Sequence, residues 1–189
     1  MSDAVTALRG RSFTGTVTVE DAGPVGMVTV RADLADETVR AALAAAGSDL
    51  PEAGGLTWSE DGGTLWMSPD EALILCAADD AAQKASALAR ALDGSHALVA
   101  DVSQARIVIR LTGRDALVRE VLAKLSPADL RVSALPVGRV RRTRLGQVAA
   151  AFWFPSEGEA MLICFRSVAD YAFALLSNAA APGSDVGHF

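Results

Sequence analysis

The chain has 189 residues, enough for one sizeable domain or for two small halves that share a core. Hydrophobic residues make up 51% of the sequence, which excludes the disordered class, and a net charge of −6 disfavours nucleic acid as a partner. The longest apolar runs are about seven residues, whereas a membrane-spanning helix needs roughly twenty. Because the N-terminus also lacks the pattern of a signal peptide, we expect a soluble, cytoplasmic protein with no membrane partner.

The hydrophobic pattern predicts strands and helices in a regular order. Alternating polar and apolar residues indicate strands, and apolar residues that recur on one helical face indicate helices. In chain order, the predicted elements are strands 14–20 and 25–31, helix 36–47, loop 48–63, strands 64–67 and 71–76, helix 80–92, strands 96–102 and 104–112, helix 114–125, strands 143–154 and 159–165, and helix 167–178. Asp36 is the predicted N-cap and Gly47 the predicted C′ residue of the first helix. Ser167 and Asp170 predict a capping box for the last one.

Two pairs of segments in the sequence are alike. Residues 71–76 read EALILC and residues 159–164 read EAMLIC, which is an offset of 88. Residues 28–47 match residues 107–126 without a gap at an offset of 79, so that Arg31 lies over Arg110. The repeats indicate a duplication.

The duplication and the element order together predict the fold class. We predict an α+β fold of four strand–strand–helix units in two pseudo-symmetric halves, with an antiparallel-rich sheet covered by helices. A single duplicated domain is expected at residues 13–180, with halves at about 13–94 and 95–180. Residues 1–12 and 181–189 are predicted to be flexible termini. Trp66 and Trp153 lie near the two copies of the repeated strand, and their equivalent placement predicts core packing.

The sequence contains no recognisable catalytic, phosphate-binding or metal-binding motif. The phosphate-binding patterns GxxxxGK[ST] and GxGxxG after a strand are not found in the sequence. His96 and His188 have no cysteine or carboxylate at ligand spacing. Cys76 and Cys164 lie inside apolar strands, which predicts buried, reduced thiols, with a reactive or redox pair as the alternative. We predict no catalytic, cofactor-binding or metal-ligating residue in this chain.

Two polar stretches allow more than one interpretation. Asp101, Ser103 and Arg106 lie at the junction of two predicted strands. They indicate either a turn with Arg106 directed to solvent, or residues that line a ligand cleft or touch a partner. The stretch RVRRTR contains Arg139, Arg141, Arg142 and Arg144, which would charge both faces of a strand. It is interpreted as a solvated strand end, as an edge that docks an acidic partner, or as a nucleic-acid contact that the net charge disfavours.

Several motifs in this order resemble the gamma subunit family of heterotetrameric sarcosine oxidase. The matching motifs are LWMSPDEALIL (65–75), ADVSQARIVIRLTGRDALVREVL (100–122), SPADL (126–130) and FRSVADYAFALL (165–176). Gly113, between a strand and a helix, and the pair Arg166–Ser167 at the last helix carry most of the resemblance. That family is similar in fold to the folate-binding aminomethyltransferases, so the resemblance implies an aminomethyltransferase-like fold.

The resemblance also implies a function in an assembly. Sarcosine oxidase converts N-methylglycine and oxygen to glycine and hydrogen peroxide, with formaldehyde or methylene-tetrahydrofolate as the one-carbon product. Its gamma chain is expected to be a non-catalytic accessory subunit without its own cofactor. FAD, FMN, NAD, tetrahydrofolate and zinc are then expected in the alpha, beta and delta partners.

Within that family, the residues singled out here take two expected roles. We predict a partner interface at Arg139, Arg141, Arg142 and Arg144. Structural roles are predicted for the motif residues Asp101, Ser103, Arg106, Gly113, Arg166 and Ser167. The alternatives to the accessory-subunit hypothesis are a stand-alone folate-binding protein of the aminomethyltransferase type and a binding module for an unrelated partner.

Overall fold

The computed structural model describes residues 5–59 and 62–189. The elements in chain order are β1 (Ser12–Thr14), β2 (Thr18–Asp21), β3 (Gly26–Arg31), α1 (Glu37–Ala45), β4 (Leu56–Ser59), β5 (Gly62–Ser68), β6 (Glu71–Cys76), α2 (Ala81–Ala91), β7 (Leu98–Asp101), β8 (Arg106–Thr112), α3 (Asp115–Ala123), β9 (Val140–Leu145), β10 (Val148–Ser156), β11 (Glu159–Phe165) and α4 (Ala169–Ala179). Short 3-10 turns at Ala78–Asp80 and Arg166–Val168 lead into α2 and α4. The chain forms two compact units, which are called unit 1 (Met1–Gly23 with Ala105–Phe189) and unit 2 (Pro24–Gln104) below.

Unit 2 contains a five-stranded sheet in the order β4-β5-β6-β3-β7. All its strand pairs are antiparallel. Alternate residues of β3 and β6, including Val28, Val30 and Ile74, pack with Leu43 of α1 and Leu88 of α2 in one hydrophobic cluster. Complete burial of a leucine side chain such as Leu43 stabilises the fold by about 1.5–3 kcal/mol. The helices therefore cover one face of this sheet.

Unit 1 contains a six-stranded sheet in the order β1-β2-β8-β11-β10-β9, again antiparallel throughout. Its helix-side core joins Ile109 of β8 and Phe152 of β10 to Val118 of α3 and to Phe173 and Leu176 of α4. The α+β class, the antiparallel pairing and the helical cover predicted from the sequence are confirmed.

The hairpins β5–β6 and β10–β11 share their register and their irregularity. Ser68 pairs with Glu71 after a shift in register, and Ser156 pairs with Glu159 after a similar shift, which reproduces the offset of 88. At that offset Trp66 corresponds to Phe154 rather than to Trp153. Trp66 and Trp153 are therefore not equivalent, because successive residues of a strand point to opposite faces. Trp66 packs against the helix-side core of unit 2, whereas the buried Trp153 lies outside the helix-side core of unit 1.

Strands β3 and β8, which match in sequence at an offset of 79, pair with their neighbouring strands in different registers. Arg31 pairs with Glu71, but Thr112 rather than Arg110 pairs with the corresponding Glu159. Both arginines nevertheless bind these glutamates: Arg31 Nη2 lies 2.9 Å from Glu71 Oε2, and Arg110 Nε lies 2.7 Å from Glu159 Oε1. The matched arginines therefore form the same ion pair in both units, although the register of β8 against β11 is shifted by two residues relative to that of β3 against β6.

The unit 2 sheet takes one strand, β7, and the unit 1 sheet takes two, β1 and β2, from the opposite half of the predicted duplication. β7, from predicted half 95–180, pairs with β3, and β2, from predicted half 13–94, pairs with β8. For this reason the compact units have different bounds from the halves drawn from the repeat. The single duplicated domain over 13–180 stays a prediction, as does the flexibility of the termini.

Several element boundaries differ from the sequence prediction for local reasons. The predicted strand 143–154 is two strands, because Gly146 with φ +56 turns the chain between β9 and β10. The predicted loop 48–63 contains β4, whose Thr-Trp-Ser residues are exposed. The Asp36 cap is confirmed by an acceptor bond from the Thr38 N–H to Oδ1 at 2.7 Å, and Gly47 has φ +65. The capping box at Ser167 is wrong, since α4 begins two residues later without a side-chain cap.

Candidate interaction surface and predicted site residues

The predicted arginine interface lies on β9, which ends the strand order of the unit 1 sheet and pairs with β10. Arg141, Arg142 and Arg144 are exposed, and Arg139 is half-buried just before the strand. Val140 and Leu145 are buried at its two ends, so apolar anchors fix a strand whose middle is charged. Charged side chains on an edge strand prevent unwanted pairing with other strands. The same charges can also bind a partner of opposite charge.

The arginines point to both faces of the strand. Arg141 pairs with Phe152 of the helix-side core, so it lies on the helix side at the rim of the sheet. Arg142 pairs with Ala151 and Arg144 with Ala149, so these two lie on the other face. The structure therefore confirms the alternation read from the sequence and separates Arg141 from Arg142 and Arg144.

The loop before β9 adds apolar residues and one more arginine to this region. Val132 and Val137 are 58% and 47% exposed. Arg131 donates to both Oδ atoms of Asp129, and this side-chain bonding lowers the pKa of Asp129 to about 2. Residues 130–156 contain five arginines and no acidic residue, in a chain whose net charge is −6.

Arg119 fixes this loop, although the helical pattern gave no sign of it. Its side chain is 2% exposed. Nη1 donates to the carbonyl oxygens of Leu130 and Leu135 at 2.9 Å each, and Nε donates to Asp115 Oδ2 at 2.6 Å. The guanidinium also lies 4.1 Å from the ring centroid of Phe154. The loop that carries Val132 and Val137 is therefore held by a buried cation.

The segment at Asp101 and Ser103 forms a hydrogen-bonded turn after β7. The backbone N–H and the hydroxyl of Ser103 donate to Asp101 Oδ1, at 2.9 and 2.5 Å. Ser103 Oγ accepts from the Met27 N–H at 2.9 Å, which ties the turn to β3. Arg106 is half-buried, with its guanidinium carbon 5.9 Å from the Phe165 ring centroid, so it does not point to solvent as the turn interpretation expected.

Gly113 lies where β8 and the β10–β11 hairpin come close. Its N–H donates to the carbonyl of Gly158 at 3.0 Å. Gly158 has φ +75, and a Cβ added there would lie 2.4 Å from the Gly113 carbonyl oxygen. Asp115 Oδ1 accepts from the Gly158 N–H at 3.2 Å. The glycine of the family motif thus belongs to a close backbone contact.

Substitution of Gly158 by alanine is expected to destabilise unit 1 by about 2–3 kcal/mol, because strain at positive φ and a clash act together. Gly94 is the matched control, since its φ is +81 and a Cβ added there meets nothing within 4 Å. Its alanine variant should lose only about 1 kcal/mol. Urea unfolding of both variants measures the difference, and equal losses would contradict the clash.

Arg166 and Ser167 form the short turn before α4. Arg166 donates its N–H to the carbonyl of Ala105 at 2.9 Å and its Nη2 to the carbonyl of Val5 at 3.1 Å. Ser167 is exposed. Arg166 and Ser167 therefore lie beside Arg106 at the start of β8, whereas Gly113 follows the other end of that strand.

The two cysteines differ in burial, since Cys164 is buried and Cys76 is half-buried. Burial raises the pKa of Cys164 to about 11, and burial also raises the pKa of Cys76. Both cysteines are free thiols. Within residues 5–59 and 62–189, no group of three or more His, Cys, Asp or Glu side chains is placed to hold a metal ion. No helix formed by the described residues combines the length and the apolar character needed to span a bilayer.

A buried carboxylate holds the C-terminal tail and was also missed by the sequence reasoning. Glu120 accepts the backbone N–H groups of Val186, Gly187 and His188 at 2.6, 2.8 and 3.2 Å. Lys124 Nζ lies 3.3 Å from Glu120 Oε1 and donates to the Ala179 carbonyl at 3.1 Å. The chain has only two lysines, Lys84 and Lys124, and each donates to a carbonyl at a helix C-terminus. The rarity of lysine was the one feature of the sequence that could have drawn attention to these contacts.

Comparison with known proteins identifies the family. The model described as the sarcosine oxidase, gamma subunit family matches residues 31–182. The sarcosine oxidase subunit gamma of Arthrobacter sp is 35% identical over 154 residues, which cover 80% of this chain and 73% of that one. Heterotetrameric sarcosine oxidase from Corynebacterium sp. U-96, solved in complex with pyrrole 2-carboxylate, contains a chain with 28% identity and a TM-score of 0.78, over 89% of this chain and 86% of that chain.

A second solved structure supports the fold alone. Aminomethyltransferase T of the glycine cleavage system from Bartonella henselae is 17% identical, with a TM-score of 0.61, over 90% of this chain and 47% of that chain. The aminomethyltransferase-like fold expected from the resemblance is therefore confirmed. Because the family match spans most of the chain and the Arthrobacter relative is 35% identical over 154 residues, the chain belongs to the sarcosine oxidase gamma subunit family.

Proposed function

We propose that this chain is the accessory gamma subunit of a heterotetrameric sarcosine oxidase and has no active site of its own. The observation that carries the proposal is the family match over residues 31–182. In the relative from Corynebacterium sp. U-96, the similar chain is part of a heterotetrameric enzyme. The reaction of the assembly is the oxidative demethylation of sarcosine to glycine with hydrogen peroxide, and with formaldehyde or methylene-tetrahydrofolate as the one-carbon product.

The partners carry the chemistry in this proposal. They are the alpha, beta and delta subunits, and FAD, FMN, NAD, tetrahydrofolate and zinc belong to them. The complex is cytoplasmic. Asp101, Ser103, Arg106, Gly113, Arg166 and Ser167 serve the structure of the gamma chain, and the turn and strand-end bonds of these motif residues support that role.

The partner docks on the β9 surface, which we define as Arg139, Arg141, Arg142 and Arg144 of β9 and its N-terminal flank, with Val132 and Val137 of the preceding loop. Exposed apolar residues next to arginines are the composition that protein interfaces favour. The β9 surface is positively charged, although the chain as a whole is acidic. Its charge attracts an acidic partner surface and repels the same surface of a second copy. Nucleic acid is disfavoured by the net charge of −6.

A pull-down from the native host tests the proposed function. The tagged full-length chain is expected to bring down a yellow complex, with a flavin absorption spectrum and with a large folate- and flavin-binding subunit in the mass spectrum. A colourless chain that is alone or bound to an unrelated protein would refute the accessory-subunit proposal. Folate binding by the purified chain without partners would instead favour the stand-alone aminomethyltransferase-like function.

Reversing charge on the β9 surface is expected to weaken the complex. The double variant Arg141→Glu/Arg144→Glu places two negative charges opposite an acidic partner, so the affinity should fall at least about tenfold. Competitive pull-down against the tagged wild-type chain measures the ratio.

The matched control is Arg40→Glu/Arg90→Glu, which reverses two exposed arginines on α1 and α2 of unit 2. It should retain the affinity of the wild-type chain. Equal affinities of the two double variants, with both folded by circular dichroism, would remove the β9 surface from the interface while leaving the subunit assignment intact.

A further inference from the structure

Unit 2 contains a polar cavity that the proposed function does not use. Its volume is about 350 Å³, and it lies on the helix side of the sheet. Polar and apolar groups share its lining, and the polar side chains include Ser48, Thr57, Thr64, Asp80 and Lys84. Cavities of this size hold small ligands in other proteins.

The corresponding place in unit 1 is filled. The β5–β6 hairpin corresponds to β10–β11, and α2 corresponds to α4, both at an offset of 88. At this offset Thr64 corresponds to Phe152 and Lys84 to Ala172. Phe152 and Ala172 are 0% exposed and belong to the hydrophobic core of unit 1. Two polar residues thus replace two core residues where the cavity lies.

The polar groups of the cavity are only partly satisfied by the chain. Lys84 Nζ donates to the Ala46 carbonyl at 2.8 Å and to Ser48 Oγ at 3.3 Å. An ammonium group has three N–H donors, so one donor is left for a ligand. Thr64 is 1% exposed, and its Oγ1 has no hydrogen-bond partner within residues 5–59 and 62–189. A buried hydroxyl without a partner is costly unless something else binds it.

The charges of the lining define the class of ligand. Lys84 is the single cation among the described residues that line the cavity, and the exposed carboxylates of Asp49 and Asp80 line it as well. A simple anion would meet these carboxylates, and a simple cation would meet Lys84. We propose that the cavity binds a small zwitterion of the amino-acid type, with its carboxylate on Lys84 and its ammonium group toward Asp49 and Asp80.

Three matched probes test this proposal, which stands independently of the proposed function. L-alanine carries both charges, propionate is alanine without its ammonium group, and ethylammonium is alanine without its carboxylate. Each is titrated by calorimetry into the full 189-residue chain, in the form in which it purifies. Alanine is expected to bind at least about tenfold more tightly than either other probe, since each lacks one charged contact. Equal binding of propionate, or no binding of alanine, would overturn the proposal.

Variants place the binding in this cavity. Lys84→Gln removes the cation and should weaken alanine binding at least about tenfold. Thr64→Phe copies Phe152 of unit 1, fills the cavity and should abolish binding. Arg90→Gln removes one charge from the same helix at a residue outside the cavity lining and should bind as the wild type does. Alanine binding that survives Lys84→Gln would refute the site, and this result decides the matter even if Thr64→Phe does not fold.

Discussion

Replacing Arg119 by methionine is expected to destabilise unit 1 by about 3–5 kcal/mol, although methionine matches the length of the arginine stem. The substitution leaves the carbonyls of Leu130 and Leu135 without their donor and leaves the Asp115 carboxylate without its nearest cation. Removing one partner of a buried ionic group costs more than the pair itself contributed, because the remaining groups stay desolvated. Urea denaturation followed by circular dichroism measures the loss.

The control for this substitution comes from the sequence repeat. Arg40 aligns with Arg119 at the offset of 79 but is exposed on α1. Arg40→Met should change the free energy of unfolding by no more than about 0.5 kcal/mol. Limited proteolysis should also cut the loop 126–138 of the Arg119 variant faster than in the wild type. A loss below about 1 kcal/mol with an intact loop would contradict the role of the buried cation.

Replacing Glu120 by glutamine is expected to release the C-terminal tail and to change the acid stability of the protein. The N–H of Val186, followed by those of His188 and Gly187, lowers the pKa of Glu120 from 4.5 to about 2. A carboxyl whose pKa is lower in the folded state stabilises the fold above its unfolded pKa. That contribution is lost as the pH falls from 4.5 toward 2. The wild-type chain should therefore lose part of its stability over this interval.

The Glu120→Gln variant should lack that part of the acid dependence and be less stable at neutral pH by about 1–3 kcal/mol, because the bonds to a charged acceptor are gone. Amide hydrogen exchange at Val186, Gly187 and His188 is the local readout, and protection there should fall. Glu37→Gln, an exposed glutamate of α1, is the control and should preserve both properties. Unchanged protection of the three amides in the Glu120 variant would show that Glu120 does not hold the C-terminal tail.

Local features of the fold followed from the sequence because their causes are local. The Asp36 cap and the Gly47 helix end depend on a few neighbouring residues, and the structure contains both. The hairpin repeat was visible in the sequence because EALILC and EAMLIC are closely similar. The two segments form equivalent strands, β6 and β11, in the same register. β4 was missed because exposed Thr-Trp-Ser residues beside glycines and a proline resemble a loop.

Features that depend on distant segments did not follow from the sequence. Periodicity does not reveal which strand completes which sheet, so the pairing of β2 with β8 and of β7 with β3 was not predicted. The helical pattern gave no reason to expect Arg119 and Glu120 of α3 to be buried, yet a loop and the C-terminal tail cover them. The cavity at Thr64 and Lys84 became visible only when unit 1 showed which side chains fill the same place. The arginines of β9 were found because charge is read directly from composition.

The exchange of β2 and β7 has a consequence for synthesis on the ribosome. Unit 2 is one continuous stretch, Pro24–Gln104, and all five of its strands are synthesised before β8. β1 and β2 are made first, but β2 must wait for β8 before its exposed edge is paired. Domains fold as units during synthesis, so the middle of this chain should fold before its beginning. The nascent N-terminal hairpin is then the segment that waits longest for its neighbouring strand.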